Sequence, residues 1–213
     1  MEIMKPNLDG ITECNTIKGV IREAKIRDMD VACCFFYKCY EANVETDKME
    51  FSSCEFKDCI CLNSKFEKVY FTDVLFENCD FSNTMFYECN FVRVTFRNCK
   101  LVGSNLCNVN MYNILIDNTN VSYANMSLGT YKEVCFSESK LSNSVIQEVI
   151  FKDVEFDKTN LIASQLCRTN LNGIDVSNCD ITGVAISQDY IKGLIVNEMQ
   201  AVELSKLLGV VVK

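Results

Sequence analysis

The chain has 213 residues, a net charge of −8 and no histidine. Its length allows one substantial domain, and its acidity argues against nonspecific contact with phosphate backbones, so no direct nucleic-acid binding is expected. No run approaches the ~18 apolar residues of a membrane span, and Met1 to Lys5 lack a charged, apolar, small signal architecture. A cytoplasmic protein without membrane association is expected.

Residues 1–20 are punctuated by Pro6 and Gly10 and show little pattern, so they are expected to form an N-terminal cap segment. From Ile21 a five-residue register runs through Ala24, Ile26, Met29, Val31, Cys34 and Phe36, which suggests the first coil of a repeat. Between Tyr37 and Glu50 the register lapses: its central positions hold Glu41 and Thr46, which should not face a core unpaired. Either the coil is distorted there or a short loop bulges at 41–48. The polar run that includes Glu41, Asp47 and Lys48 has loop composition and favours the loop.

From Phe51 to Val196 a large apolar residue returns at every fifth position, as in Phe51, Phe56, Cys61, Phe66 and Phe71. A smaller buried type, such as Cys54 or Val74, sits two residues before each. Five is neither the helical period nor the strand period, so residues 21–196 read as a tandem repeat. Sorting by twenty yields chemically uniform columns: Val74, Val94, Ile114, Val134, Val154, Ile174 and Leu194 are all aliphatic, whereas sorting by fifteen mixes the classes. Four pentapeptides per coil, about nine coils and a rod of ~43 Å follow at one strand spacing per coil. Asn or Gly favours the position two after each centre, which locates the corners of the square. The expected class is therefore an all-β solenoid, a quadrilateral β-helix.

At Val196 the repeat gives way to a helix pattern over 197–213. Asn197 is a good N-cap with Gln200 as its capping-box partner, and Gly209 suits the C-terminal cap. Leu204, Leu207, Leu208 and Val211 fall on one apolar side, so this C-terminal α-helix and tail are expected to form a homodimer interface.

Without histidine there is no ordinary nucleophile and base pair, and no glycine-rich phosphate loop occurs; no enzyme, small-molecule substrate or cofactor is expected. Most of the fourteen cysteines occupy the small inward register and read as buried thiols rather than metal ligands. The exposed positions are more informative. The face centred on Phe56, Phe76, Phe96 and Ile116 displays Glu55, Asp58, Glu77, Asp117, Glu138, Glu155, Asp157, Asp175 and Glu198 against Lys57, Arg97 and Lys158. Nine acids against three bases form a candidate acidic ridge.

The pattern in Cys79-Asp80-Phe81-Ser82-Asn83 and Cys89-Asn90-Phe91-Val92-Arg93 resembles the pentapeptide-repeat family, which implies a right-handed quadrilateral β-helix. More narrowly, Ile116-Asp117-Asn118-Thr119-Asn120-Val121-Ser122-Tyr123-Ala124-Asn125 and the tail around Ile191-Lys192-Gly193-Leu194, Gln200-Ala201 and Leu207-Leu208-Gly209-Val210-Val211 resemble the Qnr family of fluoroquinolone-resistance proteins. That resemblance implies a DNA-mimicking dimeric rod that binds the type II topoisomerases DNA gyrase and topoisomerase IV, with the acidic ridge facing the enzyme, and protects them from fluoroquinolones. Many members carry two loop insertions. This chain has room for the first at 41–48 but none for the second, because the register runs through Leu101, Leu106, Met111 and Ile116. The alternative reading is a pentapeptide scaffold that binds a different protein.

Overall fold

The computed structural model describes residues 3–211. Its order is β1 (Thr12–Cys14), α1 (Ile17–Arg27), β2 (Val31–Ala32), β3 (Cys34–Tyr37), β4 (Glu45–Asp47), β5 (Glu50–Lys57), β6 (Lys65–Glu67), β7 (Tyr70–Glu77), β8 (Met85–Tyr87), β9 (Asn90–Arg97), β10 (Asn110–Asp117), β11 (Thr130–Ser137), β12 (Ile150–Asp157) and α2 (Glu198–Ser205). The strands pair in parallel with a register of twenty, as in Phe51 with Phe71 and Phe71 with Phe91. This is the expected four-sided β-helix with a small C-terminal helix. The ladder has about seven turns rather than nine, because α1 takes the place of the first expected coil and the last turns carry isolated bridges instead of strands.

The repeat therefore does not begin at Ile21. Ile17, Ile21 and Ala24 pack inward from α1, and Ile26 and Met29 are 77% and 61% exposed. Thr16 caps the helix by accepting the Gly19 N–H, and Asp28 closes it in the left-handed region. The expected loop at 41–48 is also absent. Val44, Thr46 and Met49 are buried, β4 pairs with β6, and the Thr46 hydroxyl lies 3.7 Å from Met49 Sδ. Glu41 does not face the core unpaired: its Oε1 and Oε2 accept the Ile17 and Lys18 backbone N–H groups at 2.6 and 2.9 Å. A carboxylate at a helix N-terminus satisfies donors that have no partner within the helix and meets the positive end of its dipole.

Inside the rod, large residues stack on their own kind. The rings of Phe36, Phe56, Phe76 and Phe96 follow one another at 4.6, 4.9 and 4.8 Å, and rings on neighbouring sides meet edge to face, as Phe76 and Phe81 do at 85°. The small inward column has a polar task. Cys79 Sγ, Thr119 Oγ1, Ser139 Oγ and Thr159 Oγ1 each donate to the carbonyl twenty-three residues earlier, of Phe56, Phe96, Ile116 and Phe136, at 2.9–3.3 Å. Thiol and hydroxyl are thus interchangeable at this place. Burial pushes the Cys89 thiol up to about 12, which leaves it unreactive as a nucleophile.

Every fifth residue from Asp28 to Gly173 has a positive φ, with glycine only at 103 and 173. The corners thus fall where the Asn and Gly pattern places them, although Tyr123, Leu128 and Ala163 adopt the same strained conformation. Before β1 an extended strap runs along the outside of the rod: Asn7 N–H donates to Asp73 Oδ1 at 3.1 Å and Met4 N–H to Asn113 Oδ1 at 2.6 Å. The expected cap segment is therefore a strap along the side and a helix over the end.

Two measurements follow. Thr119 Oγ1 also accepts the buried Cys99 N–H, so Thr119→Val should cost about 1–3 kcal/mol in urea unfolding; Ser144→Ala should cost nothing, because the buried Ser144 hydroxyl has no partner among the described residues. Leu128→Asn relieves a left-handed corner at a half-exposed side chain and should raise stability by about 1 kcal/mol, read as an increase in Tm.

Candidate functional site

The face centred on Phe56, Phe76, Phe96 and Ile116 consists of three outward columns, each held in register by the twenty-residue ladder. In the column just after the centres, charges alternate. Lys57 Nζ lies 2.6 Å from Glu77, and Arg97 lies between Glu77 and Asp117 at 3.8 and 3.5 Å. Like charges stacked at about one strand spacing repel, and alternation removes that repulsion.

At the corner column the side-chain amides form a chain. Asn78 Nδ2 donates to Asp58, Asn98 to Asn78, and Asn118 to Asn98, at 3.0, 3.2 and 2.8 Å. Farther along, Lys158 pairs with Glu138 at 3.4 Å, and Asn178 Nδ2 donates to Asp157 at 2.7 Å.

The third column, just before the centres, reads Glu55, Leu75, Thr95, Leu115, Cys135, Glu155, Asp175. Partial burial raises the Glu55 carboxyl above its usual range, Lys57 opposes that shift and Glu77 adds to it. Hydrogen bonds from Ser177 lower the Asp175 carboxyl. The expected continuous ridge is therefore divided. Its middle is occupied by ion pairs, amides and apolar residues, and its acid excess gathers where Glu138, Glu155, Asp157 and Asp175 share the face with Lys158; Glu198, expected on the same face, is the first residue of α2.

The remaining expected residues lie apart from this face. Asp47 pairs with Lys25 of α1 at 3.2 Å, and Lys48 is an exposed corner residue with positive φ. In the tail the capping box forms as expected: Asn197 accepts the Gln200 N–H while the Gln200 side chain accepts the Asn197 N–H. Gln200 is itself buried and donates to the Val176 and Cys179 carbonyls, which seats α2 on the last turns. Leu204 is buried within its own chain, beside Ile191, Leu194, Val196 and Ala201, in a groove of about 240 Å³. Leu207 and Val211 are exposed; the Leu208 side chain lies outside the described residues. Among the described residues no helix is long and apolar enough to cross a membrane, and no group of three or more Cys, Asp or Glu is placed to hold a metal ion.

A family model described as a pentapeptide repeat region matches residues 49–126, and one described as pentapeptide repeats (8 copies) matches residues 135–173. No curated protein sequence matches the chain. Similar solved structures include a trypsin-treated variant of QnrB1, a plasmid-mediated fluoroquinolone resistance protein, at 20% identity over 87% of this chain and 90% of that one, with a TM-score of 0.45. HetL, a pentapeptide repeat protein involved in heterocyst differentiation regulation in the cyanobacterium Nostoc sp. strain PCC 7120, is 12% identical over 84% of this chain and 97% of its own, with a TM-score of 0.39. A pentapeptide repeat protein from the Arabidopsis thaliana thylakoid lumen is 15% identical over 61% and 72%, with a TM-score of 0.36. The two family models lie inside the twenty-residue ladder described above, and the chain belongs to the pentapeptide-repeat family.

Proposed function

We propose that this chain is a non-catalytic, DNA-mimicking rod that binds type II topoisomerases, DNA gyrase and topoisomerase IV, and thereby protects them from fluoroquinolones. The observation that carries this reading is the acid excess of Glu138, Glu155, Asp157 and Asp175 on one face of the twenty-residue ladder. Carboxylates repeated along a rigid axis suit a groove whose Arg and Lys side chains otherwise meet phosphates. The resemblance to the Qnr family supports the same partner. With no loop at 41–48, binding falls to the face itself. Fourteen unpaired thiols fit a reducing cytoplasm, the compartment in which the enzymes work.

Supercoiling by purified gyrase, titrated with this protein with and without ciprofloxacin, tests the reading. Glu138→Lys, Asp157→Lys and Asp175→Lys together should abolish gyrase binding and protection. Reversal of Glu67, Glu148 and Asp180, which lie off the face, gives the same net charge and should leave both within about threefold at ~0.1 M salt, where the Debye length is about 10 Å. Equal loss in both triple variants would reduce the effect to net charge, and no loss in the first would leave a scaffold for a different protein.

The same reading includes a homodimer formed through the tail, since Leu207 and Val211 are exposed beyond the last turn. Leu207→Asp with Val211→Asp should sediment as a monomer with an unchanged melt. Leu204→Ala should instead lower stability by about 2–5 kcal/mol, because Leu204 packs within its own chain. A dimer that survives the first variant would place the interface elsewhere.

A further inference from the structure

Helix α1 runs against the charge of the rest of the chain. It carries Lys18, Arg22, Lys25 and Arg27 against a single acid, Glu23, in a protein of net charge −8. Lys25 and Arg27, in its last turn, complement the helix dipole, but Lys18 lies in the first turn, where the dipole disfavours a cation and no acid of the helix offsets it. With Ile17, Ile21 and Ala24 buried against the rod, the spacing of 18, 22 and 25 puts three bases on one flank. Glu23 and Arg27 fall on the other, beside Val20 and Met29.

The basic flank is one wall of an open groove of about 490 Å³, and Asn43 and Glu45 of the neighbouring coil line the other. Ile21, buried, and Ile26, exposed, belong to the helix wall, to which the long stems of Lys18, Arg22 and Lys25 add apolar surface. A second open groove continues along the same side of the rod, past Lys25 and Glu45 to Asp47, Lys48, Lys65, Glu67 and Lys68.

The charges along these grooves do not balance. Lys25 pairs with Asp47 at 3.2 Å, Lys65 with Glu67 at 2.8 Å and Lys68 with Glu88 at 3.5 Å. Lys18 Nζ donates to the Ala42 carbonyl at 2.7 Å, which leaves its charge uncancelled, and the nearby Glu41 carboxylate is engaged by the Ile17 and Lys18 backbone N–H groups. Among the described residues Arg22 and Lys48 have no ion pair. Glu45 is the one groove carboxylate without a cation, so three positive charges face one negative.

We propose that the groove between α1 and the coil at 43–45 docks an acidic segment of a partner protein, with carboxylates at Lys18 and Arg22 and apolar side chains against Ile26 and the lysine and arginine stems. Charge complementarity selects the acidic partner. A phosphate backbone would meet the cations but has no apolar group to offer Ile26, and the net charge of −8 opposes its approach. An acidic segment with apolar residues between its carboxylates meets both requirements. The inference is independent of the topoisomerase reading, which rests on residues 138–175 of a different face.

A fluorescein-labelled peptide of three Glu-Glu-Leu-Leu repeats is the probe, and its anisotropy is titrated with the full-length chain. It should bind the parent, at least about tenfold more weakly the Arg22→Glu variant, and within about threefold of the parent the Arg22→Lys variant, which keeps the charge. The Arg22 side chain is exposed and unpaired, so circular dichroism and Tm should not change in either variant. A peptide of Glu-Glu-Ser-Ser repeats should bind at least about tenfold more weakly than the leucine peptide, since it lacks the apolar contacts. No binding to the parent, equal binding to Arg22→Glu, or equal binding of the serine peptide would overturn the proposal. Displacement of the leucine peptide by a short DNA duplex would assign the groove to nucleic acid and overturn it equally. Self-association of the parent that Arg22→Glu abolishes, without peptide binding, would assign it to a second copy, again against the proposal.

Discussion

One turn of this rod advances by one strand spacing, so every side chain has for its nearest neighbours the residues twenty before and twenty after it. No other contact in the molecule is so rigidly prescribed. Inside, the constraint favours columns of one kind: rings on rings, aliphatics on aliphatics, and small donors that each reach the same carbonyl of the turn below. Outside, identity becomes a liability, because a column of one charge repels itself at about one strand spacing. The column Lys57, Glu77, Arg97, Asp117 resolves this by alternation, and the column Asp58, Asn78, Asn98, Asn118 by passing one amide hydrogen bond along the rod.

This explains why the fold was legible from residue types and the site only in part. A column test needs nothing but spacing, and the corners, the stacked core and the Asn197 capping box all follow from local chemistry. The N-terminal lid was hidden because Ile21 and Ala24 satisfy two periods at once, five residues and the helical turn. Only Ile26 and Met29 distinguish them, and both prove to be exposed. The error at Glu41 follows from that one. Its carboxylate looked orphaned because its partners are the first amides of a helix that the five-residue register did not admit. On the acidic face, counting charges could not find their grouping, since the pairing of Arg97 with Glu77 and Asp117 becomes visible only in the register. The strap left no periodic trace.

The cysteine content, unusual for a chain of this acidity, also loses its mystery in the columns. Cys79, Cys99, Thr119, Ser139 and Thr159 occupy successive turns and do the same work, so thiols here are a smaller-polarity version of the hydroxyl donor. In another inward column, burial suppresses the ionisation of the Cys89 thiol, which separates this use of cysteine from redox or metal chemistry.

A parallel β-helix ends, at either extremity, in a turn whose amides and carbonyls have no further turn to meet, and a bare end of this kind invites another molecule to stack upon it. Helix α1 lies at the first of these extremities, with Ile17, Ile21 and Ala24 buried against the stack and Glu41 of the coil gripping its first amides. The lid is therefore fastened by a residue of the very element that it covers, and it stays closed for as long as that coil is formed. By covering apolar surface at that extremity, the helix leaves less of it for a second rod to stack upon.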